Sequence, residues 1–286
     1  MPAQVQEHRA ESTSELREQF EFEKVAARRL MTAPSSDRHA MYSEIYAELY
    51  SRFRYLQKDD SSLSSARTQA DLILKLIDSR SVVLEIGCGR AYTAALIGPK
   101  VRLLYLADVA CHIEAELPSN AEFRLLEGGT LPFDDESVAV CFHSDVMEHL
   151  HPEDGAALLR EMRRVLKPGG WAVVITPNRL SGPHNVARYF QSEVEGLHLK
   201  EYLSEELVDE MKAAGFAGAE PYYGARGLYL PVPAGLSRWI ETALRALPRS
   251  IRRARIVKGV ACDRVVARKA GSVRPGAAAK PLAASA

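Results

Sequence analysis

An α/β fold, with a mostly parallel sheet and helices on both faces, is what this 286-residue chain predicts. Three observations predict it. Short β-branched, apolar runs alternate with segments of helical period between about Thr68 and Tyr223, the pattern of a parallel sheet buried on both faces. The first run, Val82–Ile86, stops abruptly at Gly87-Cys88-Gly89, and a helical pattern follows from about Tyr92. The next run ends at Asp108, about 20 residues after Gly87, the interval at which α/β nucleotide sites place a carboxylate for the ribose hydroxyls.

In chain order, residues 1–66 read as a helical extension. Ser14–Leu30 carries Leu16, Phe20, Val25 and Leu30 as a loose apolar stripe. Met41–Tyr55 is rich in aromatic residues, with Tyr42, Tyr46, Tyr50, Phe53 and Tyr55 beside Ile45 and Leu49. These aromatics either pack a helix onto the core or form one wall of a pocket. Residues 58–62 read as a loop. A helix from about Thr68, with Ala70, Ile73, Leu74 and Ile77 at i, i+3, i+4 and i+7, opens the main domain, 67–270.

The turn after the first strand sets the ligand class. Gly87 and Gly89 let backbone come close to a ligand, and exposed N–H groups at a helix start suit polar or anionic groups. Strand two is 102–107, ending at Asp108, and strand three is 122–126, followed by Glu127 and an acidic turn to Ser137. Strand four, 138–143, runs into Ser144-Asp145-Val146-Met147-Glu148-His149. The helix after it has Glu153 and Asp154 in its first turn and Leu158, Met162, Val165 and Leu166 as its buried stripe, and Lys167-Pro168-Gly169-Gly170 stops it. Strand five, 171–176, leads into a long loop carrying His184 and His198. Ser204 caps a helix to about Ala214, strand six is 217–223, and strand seven is 260–269, so residues 224–259 are an insertion. Within it Leu236, Ile240, Ala243, Leu244 and Leu247 share one helix face, followed by Arg249, Arg252, Arg253, Arg255 and Lys258. A segment of this kind rests on an anionic membrane, grips an acidic substrate, or serves as a lid or partner contact across 236–258. Residues 271–286 read as a disordered tail.

Composition narrows the function. Lys plus Arg and Asp plus Glu number 37 each, so no global field attracts nucleic acid. The four cysteines are scattered without a C-x-x-C pair, which suggests neither a zinc site nor a disulfide framework. The N-terminal stretch lacks an apolar h-region, and no run approaches the roughly 18 apolar residues of a membrane span. A soluble, cytoplasmic protein is expected, with its oligomeric state open.

A dinucleotide site asks for glycine at position 92, where Tyr92 stands. Glu85-Ile86-Gly87-Cys88-Gly89 instead resembles the first motif of the class I S-adenosylmethionine-dependent methyltransferases, E/D-x-G-x-G-x-G, with Ala91 in place of the third glycine. Asp145-Val146-Met147-Glu148-His149 resembles that family's Asp-x-x-Glu-His segment, and the run from Leu158 to Gly170 resembles its following helix and turn. The likeness is to the small-molecule, methyltransferase type 11 branch. It implies a Rossmann-like sheet of seven strands whose last strand is antiparallel, with S-adenosyl-L-methionine at the carboxyl edge. It further implies Glu85 helping to position the cofactor, Gly87, Cys88 and Gly89 under its methionine part, Asp108 on the ribose, Glu127 near the adenine, and Ser144 at the same edge. No metal is required for methyl transfer. A hydroxyl acceptor must lose its proton, and the candidates for that work are His149, His184, His198 and Asp145, the last to orient substrate or base. Each histidine has a structural or helix-capping reading beside the catalytic one, and His149, whose Glu-His pair opens a helix, leans to the structural one.

The expected reaction is methyl transfer to a small-molecule acceptor, through a hydroxyl oxygen. A saccharide or lipid-linked intermediate is the alternative acceptor, and a non-catalytic interaction module the alternative class. Against nucleic acid stands Ser144-Asp145-Val146-Met147, where base-flipping enzymes carry an Asn-Pro-Pro-Tyr-like segment.

Overall fold

The computed structural model describes residues 13–57, 61–113, 116–225, 227–252 and 264–271. Two helices open it, α1 (Thr13–Thr32) and α2 (Ser35–Arg52). Phe20, Ala26 and Leu30 of α1 are buried, whereas Val25, which the sequence places in the same stripe, is exposed. Tyr42, Ile45, Leu49 and Phe53 meet Ala26, Leu30 and Leu197 in a small core of their own. A buried ion pair ties this cap to the sheet domain: Arg38 donates through Nε and Nη2 to Asp154, 2.7 Å each, and the Tyr42 hydroxyl donates to the same carboxylate at 2.8 Å. Helix α3 (Ser61–Ile73) starts before Thr68 and runs across the 66/67 boundary drawn from the sequence. Its apolar period continues to Ile77, but the chain turns after Ile73 to enter the sheet.

Eight strands form one sheet: β1 (Val82–Ile86), β2 (Leu103–Asp108), β3 (Ala121–Leu125), β4 (Val138–Ser144), β5 (Leu166–Ile175), β6 (Ala217–Ala225), β7 (Leu228–Pro231) and β8 (Arg264–Arg268). They lie in the order β3-β2-β1-β4-β5-β8-β6-β7. The seven expected strands are present, and the eighth is β7, a piece of the 224–259 insertion that pairs antiparallel with β6 at the sheet edge. Strand β8 is antiparallel to β5, with Val266 opposite Val173, and antiparallel to β6. Strand β5 begins at Leu166, ahead of the glycine pair expected to precede it, and a register shift between Val138 and Val140 absorbs the extra residues. All five residues of β1 are buried, and its two neighbours are both parallel: Glu85 stands opposite Leu106 on one side and Phe142 on the other. Chain order reverses between β1 and β4, and at such a switch the carboxyl ends of the strands open a crevice for a ligand.

The remaining helices are α4 (Ala94–Ile97), α5 (Pro152–Val165), α6 (Ser204–Ala213), α7 (Ala234–Arg245) and α8 (Arg249–Arg252). Along α5, Leu159 takes the buried place expected of Leu158, which turns toward a cavity. Leu203, not Ser204, occupies the cap position of α6, where its N–H donates to Glu206 at 3.1 Å. The buried Glu241 of α7 accepts from the Ser204 N–H at 2.9 Å and from Asn178 Nδ2 at 3.1 Å. Glu241 thereby satisfies a backbone donor that a helix start leaves unpaired, and this turns α7 so that Ser237 and Glu241 face inward. Leu236 and Trp239 are left exposed, the latter at 75%, so the apolar face read from the sequence does not face the core. Arg238 and Arg245 pair with Glu205, and Arg249 donates to the Ser192 carbonyl. Residues 253–260, the start of the expected last strand at 260–263, and all of the tail but residue 271 lie outside the described residues. Among the described residues no helix is long and apolar enough to cross a membrane.

Candidate active site

The turn after β1 is built from backbone. Gly87 and Gly89 have φ of +70° and +50°, a region glycine enters without steric cost. The N–H groups of Gly87 and Cys88 donate to the Ala107 carbonyl at 2.7 and 3.2 Å, fixing the turn to the end of β2. A Cβ on Gly87 would meet Val146 Cγ2 at 2.3 Å, whereas a Cβ on Gly89 or Gly128 would meet nothing within 4 Å. That open backbone is where a ligand can lie against the turn. Ala91 also holds a left-handed φ of 57°, at a cost of about 1 kcal/mol relative to glycine. The helix expected from Tyr92 is the single turn α4, and Thr93, just before it, donates its hydroxyl back to Glu85.

Asp108 closes β2 directly across this turn. Its Oδ2 accepts from the Gly89 N–H and its Oδ1 from the Val109 N–H, both at 2.7 Å. The Ala110 backbone also donates to this carboxylate, and since a carboxylate has about four acceptor sites, acceptor capacity remains for a ligand's hydroxyl. Burial raises its pKa above the ordinary range, opposed by these backbone donors. Glu85 is buried more completely, and burial pushes its carboxyl up to about 8 against the pull of the Thr93 hydroxyl. Cys88 lines the cleft as a buried thiol that burial keeps protonated.

Two cavities meet at the glycine turn. The first, about 240 Å³, is lined by Asp108, Val109, Leu126 and Gly128–Leu131 on the sheet side and by Tyr42, Tyr46, Tyr50 and His149 on the other. The second, about 550 Å³, is lined by Ser65, Gln69, Glu85, Gly87–Arg90, Tyr92, Thr93, His112 and Ser144. Both are bounded by Gly87, Gly89, Tyr50, His112 and Asp145, so they form one crevice, within the range that holds a small-molecule ligand. Glu127 points away: its side chain is exposed, and its neighbours form the wall in its place. The cap does both things that its sequence allows, since Tyr42 is a buried packing residue and also lines the first cavity.

The ends of β4 and β5 carry a polar cluster. Asp145, at a left-handed φ of 56°, accepts from the Ser144 hydroxyl at 2.9 Å and lines both cavities and a third, smaller one. Asp145 is exposed where its carboxylate opens onto the cavities, and the partial desolvation by the protein packed around that crevice raises its pKa. Ser144 also accepts from Gln69 Nε2 at 2.8 Å. His149 stacks edge-on against Tyr46 and His198, with ring centroids at 5.8 and 4.7 Å. Burial pushes its pKa down to about 3, so it is a neutral imidazole and a weak base. His184 and His198 meet not over the cavity but at the buried Glu201, whose Oε2 lies 3.2 Å from His184 Nδ1 and whose Oε1 lies 2.9 Å from His198 Nδ1. Burial raises the Glu201 carboxyl, but the two imidazoles outweigh it and hold the pKa at about 2. A Cβ on Gly182 would come within 2.0 Å of Glu201, so the loop after β5 closes on this carboxylate only with glycine there.

The structure thus brings Glu85, Gly87, Cys88, Gly89, Asp108, Ser144, Asp145 and His149 to one crevice. His184 borders only the third cavity, and His198 lies behind His149. The loop aromatics Phe190 and Tyr202 are packing residues: Phe190 stacks on Phe20 at 5.2 Å and Tyr202 is buried in the main core. Sequence reasoning passed over Gln69, Thr93 and His112. Of these only Thr93 left a signal, a hydroxyl eight residues beyond the glutamate near the end of β1.

Sheet order, glycine turn and strand-end acid together define the class I methyltransferase fold. Residues 84–174 match the methyltransferase type 11 family model, described as a methyltransferase domain. A protein of Mycolicibacterium smegmatis described as a probable S-adenosylmethionine-dependent methyltransferase is 36% identical over 138 residues, 47% of this chain and 51% of that protein. A Mycobacterium tuberculosis protein of the same description is 33% identical over 47% of this chain and 48% of its own length. The chain therefore spans about half the length of the curated relatives it matches. Among solved structures, phosphoethanolamine N-methyltransferase 1 of Haemonchus contortus, with phosphoethanolamine and S-adenosylhomocysteine, superposes with a TM-score of 0.57 at 14% identity, over 86% of this chain and 52% of that one. The 1,6-didemethyltoxoflavin-N1-methyltransferase of Burkholderia thailandensis gives 0.50 at 16% identity, over 83% and 91%. At such identities the likeness is one of fold.

Proposed function

We propose that the protein transfers a methyl group from S-adenosylmethionine to the hydroxyl oxygen of a small molecule. The observation that carries the reading is Asp108, a strand-end carboxylate fixed by backbone donors beside the Gly87–Gly89 turn, with acceptor capacity left toward the crevice. In this reading Asp108 takes the ribose hydroxyls, and Val109, Leu126 and the Gly128–Leu131 segment flank the adenine. Glu85 and Thr93 serve the amino-acid end beneath the glycine turn.

When bound, the cofactor supplies an electrophilic methyl group, and the protein's work is to place the acceptor in line and hold its proton. Asp145 is the group for that, because it stands where both cavities meet and its pKa lies above the ordinary carboxylate range. His149, held neutral with its pKa pushed down to about 3, is too weak a base to take the acceptor's proton at neutral pH. Tyr46 and Tyr50 give the first cavity an aromatic wall, suited to a planar acceptor. The polar lining of the second cavity, with Ser65, Gln69, Arg90 and Ser144, favours a saccharide as the second reading.

Calorimetric titration with S-adenosylhomocysteine, with NAD as control, tests the cofactor. Micromolar binding of the first alone is expected, and binding of neither compound overturns the reading in favour of an interaction module. Transfer of labelled methyl groups to phenols before sugars then tests the acceptor, and Asp145→Asn is expected to lower kcat while leaving affinity for the donor unchanged.

A further inference from the structure

Behind His149, at the inner end of the crevice, three groups from two distant stretches of chain converge. One ligand atom each of Glu148, His149 and His198 lies within 4.8 Å of the others. Their remaining atoms are already engaged. His149 Nδ1 lies 2.9 Å from the Leu197 carbonyl, and because a carbonyl can only accept, that nitrogen carries the proton. His198 Nδ1 lies 2.9 Å from the Glu201 carboxylate, which fixes its proton in the same way. In both rings the Nε2 lone pair is left available. Glu148 accepts from the Thr176 hydroxyl at 2.9 Å through Oε2, while its Oε1 is buried without a hydrogen-bond partner. That oxygen is 3.9 Å from His149 Nε2, too far for a shared proton. A buried acceptor facing other lone pairs is costly unless a cation sits among them.

We propose that Glu148, His149 and His198 form a site for one divalent transition-metal ion of zinc-like preference. Two imidazoles and one carboxylate are a common donor set for such ions. Each ring is oriented by an outer hydrogen bond from its other nitrogen, as metal-bound histidines usually are. Ligands at about 2.0 to 2.1 Å in a tetrahedron stand about 3.3 Å apart, so donors within 4.8 Å of one another draw together by about 1.5 Å or less. His149 also lines the first cavity, so the ion lies at the wall of the crevice. The proposal concerns ion binding and stands whether or not the protein transfers methyl groups.

The test uses the untagged full chain, stripped with chelator and titrated with Zn²⁺, with Co²⁺ as spectroscopic probe and Mg²⁺ as control. One equivalent of Zn²⁺ or Co²⁺ is expected, with no Mg²⁺ uptake, and the Co²⁺ complex should show visible ligand-field bands without thiolate charge transfer. His198→Ala and Glu148→Gln should each weaken the ion at least about 100-fold, and Glu201→Gln, which loosens His198, about 10- to 100-fold. Failure of the wild type to take up stoichiometric zinc overturns the site, as does a thiolate spectrum or wild-type affinity in a folded His198→Ala variant. Should that variant not fold, paramagnetically shifted histidine resonances in the Co²⁺-loaded wild type decide: two such imidazoles sustain the site, and none refutes it.

Discussion

The turn after β1 and the polar cluster beyond β4 and β5 stand side by side at one sheet edge, and they are built in opposite ways. The first is contiguous backbone: two glycines, two N–H groups on the Ala107 carbonyl, and Asp108 closing the next strand. Its geometry follows from local sequence, since glycine alone enters those torsions freely. The second is made of side chains from Asp145 to Glu201, held by a buried carboxylate between two imidazoles. The contrast teaches that the glycine-turn side of the crevice is specified by chain conformation, and the other side by tertiary hydrogen bonds.

The comparison is broken most directly at Glu201. Glu201→Ala leaves two imidazoles and the His184 N–H without their shared acceptor, and a loss of about 3 to 5 kcal/mol in stability is expected, the scale for breaking a buried ionic group. Denaturant melts measure it, and a wild-type midpoint would show that the cluster does not hold the loop. The sign of its pH dependence is fixed. With a folded pKa near 2 and an ordinary value of 4.5, Glu201 contributes its full stabilisation above about pH 4.5 and loses it as pH falls toward 2.

A smaller effect, on binding instead of folding, is expected on the other side. Asp108→Ala should weaken S-adenosylhomocysteine by about 1 to 3 kcal/mol, the scale of hydrogen bonds to a charged group, while the melting temperature barely moves. Unchanged affinity would remove Asp108 from the ribose.

Glu85 sharpens the contrast through protons. Its folded pKa, about 8, lies above the ordinary 4.5, so its contribution favours folding below about pH 4.5 and is lost as pH rises through 8. Glu85→Gln should therefore flatten the decline in melting temperature between about pH 4.5 and 8. A cationic ligand beside Glu85 favours its ionised form, so at pH 7 binding should release a fraction of a proton. Titrations in buffers of different ionisation enthalpy read it, and the same release in Glu85→Gln would assign the proton elsewhere.

The smallest change is expected at Trp239, exposed on α7 and lining neither cavity. Trp239→Ala should shift stability by no more than about 0.5 kcal/mol, the usual range for surface substitutions. A larger loss would mean that this face is covered in solution.

By itself the sequence determined the sheet, the glycine turn and the place of Asp108. Strands buried on both faces leave a continuous apolar run, and left-handed torsions leave glycines, so these features are written where they act. Element ends were less legible: α3 begins at Ser61 and β5 at Leu166 because neighbouring strands, not local propensity, set their limits. Only the tertiary structure decided that Glu127 faces solvent, that His184 and His198 share Glu201, that α7 buries Glu241 in preference to its leucines, and that Glu148 and His149 meet His198. Each of these depends on which backbone donors and buried charges meet across the fold. Hydrogen bonds between residues far apart in the chain leave no period in the sequence to be read.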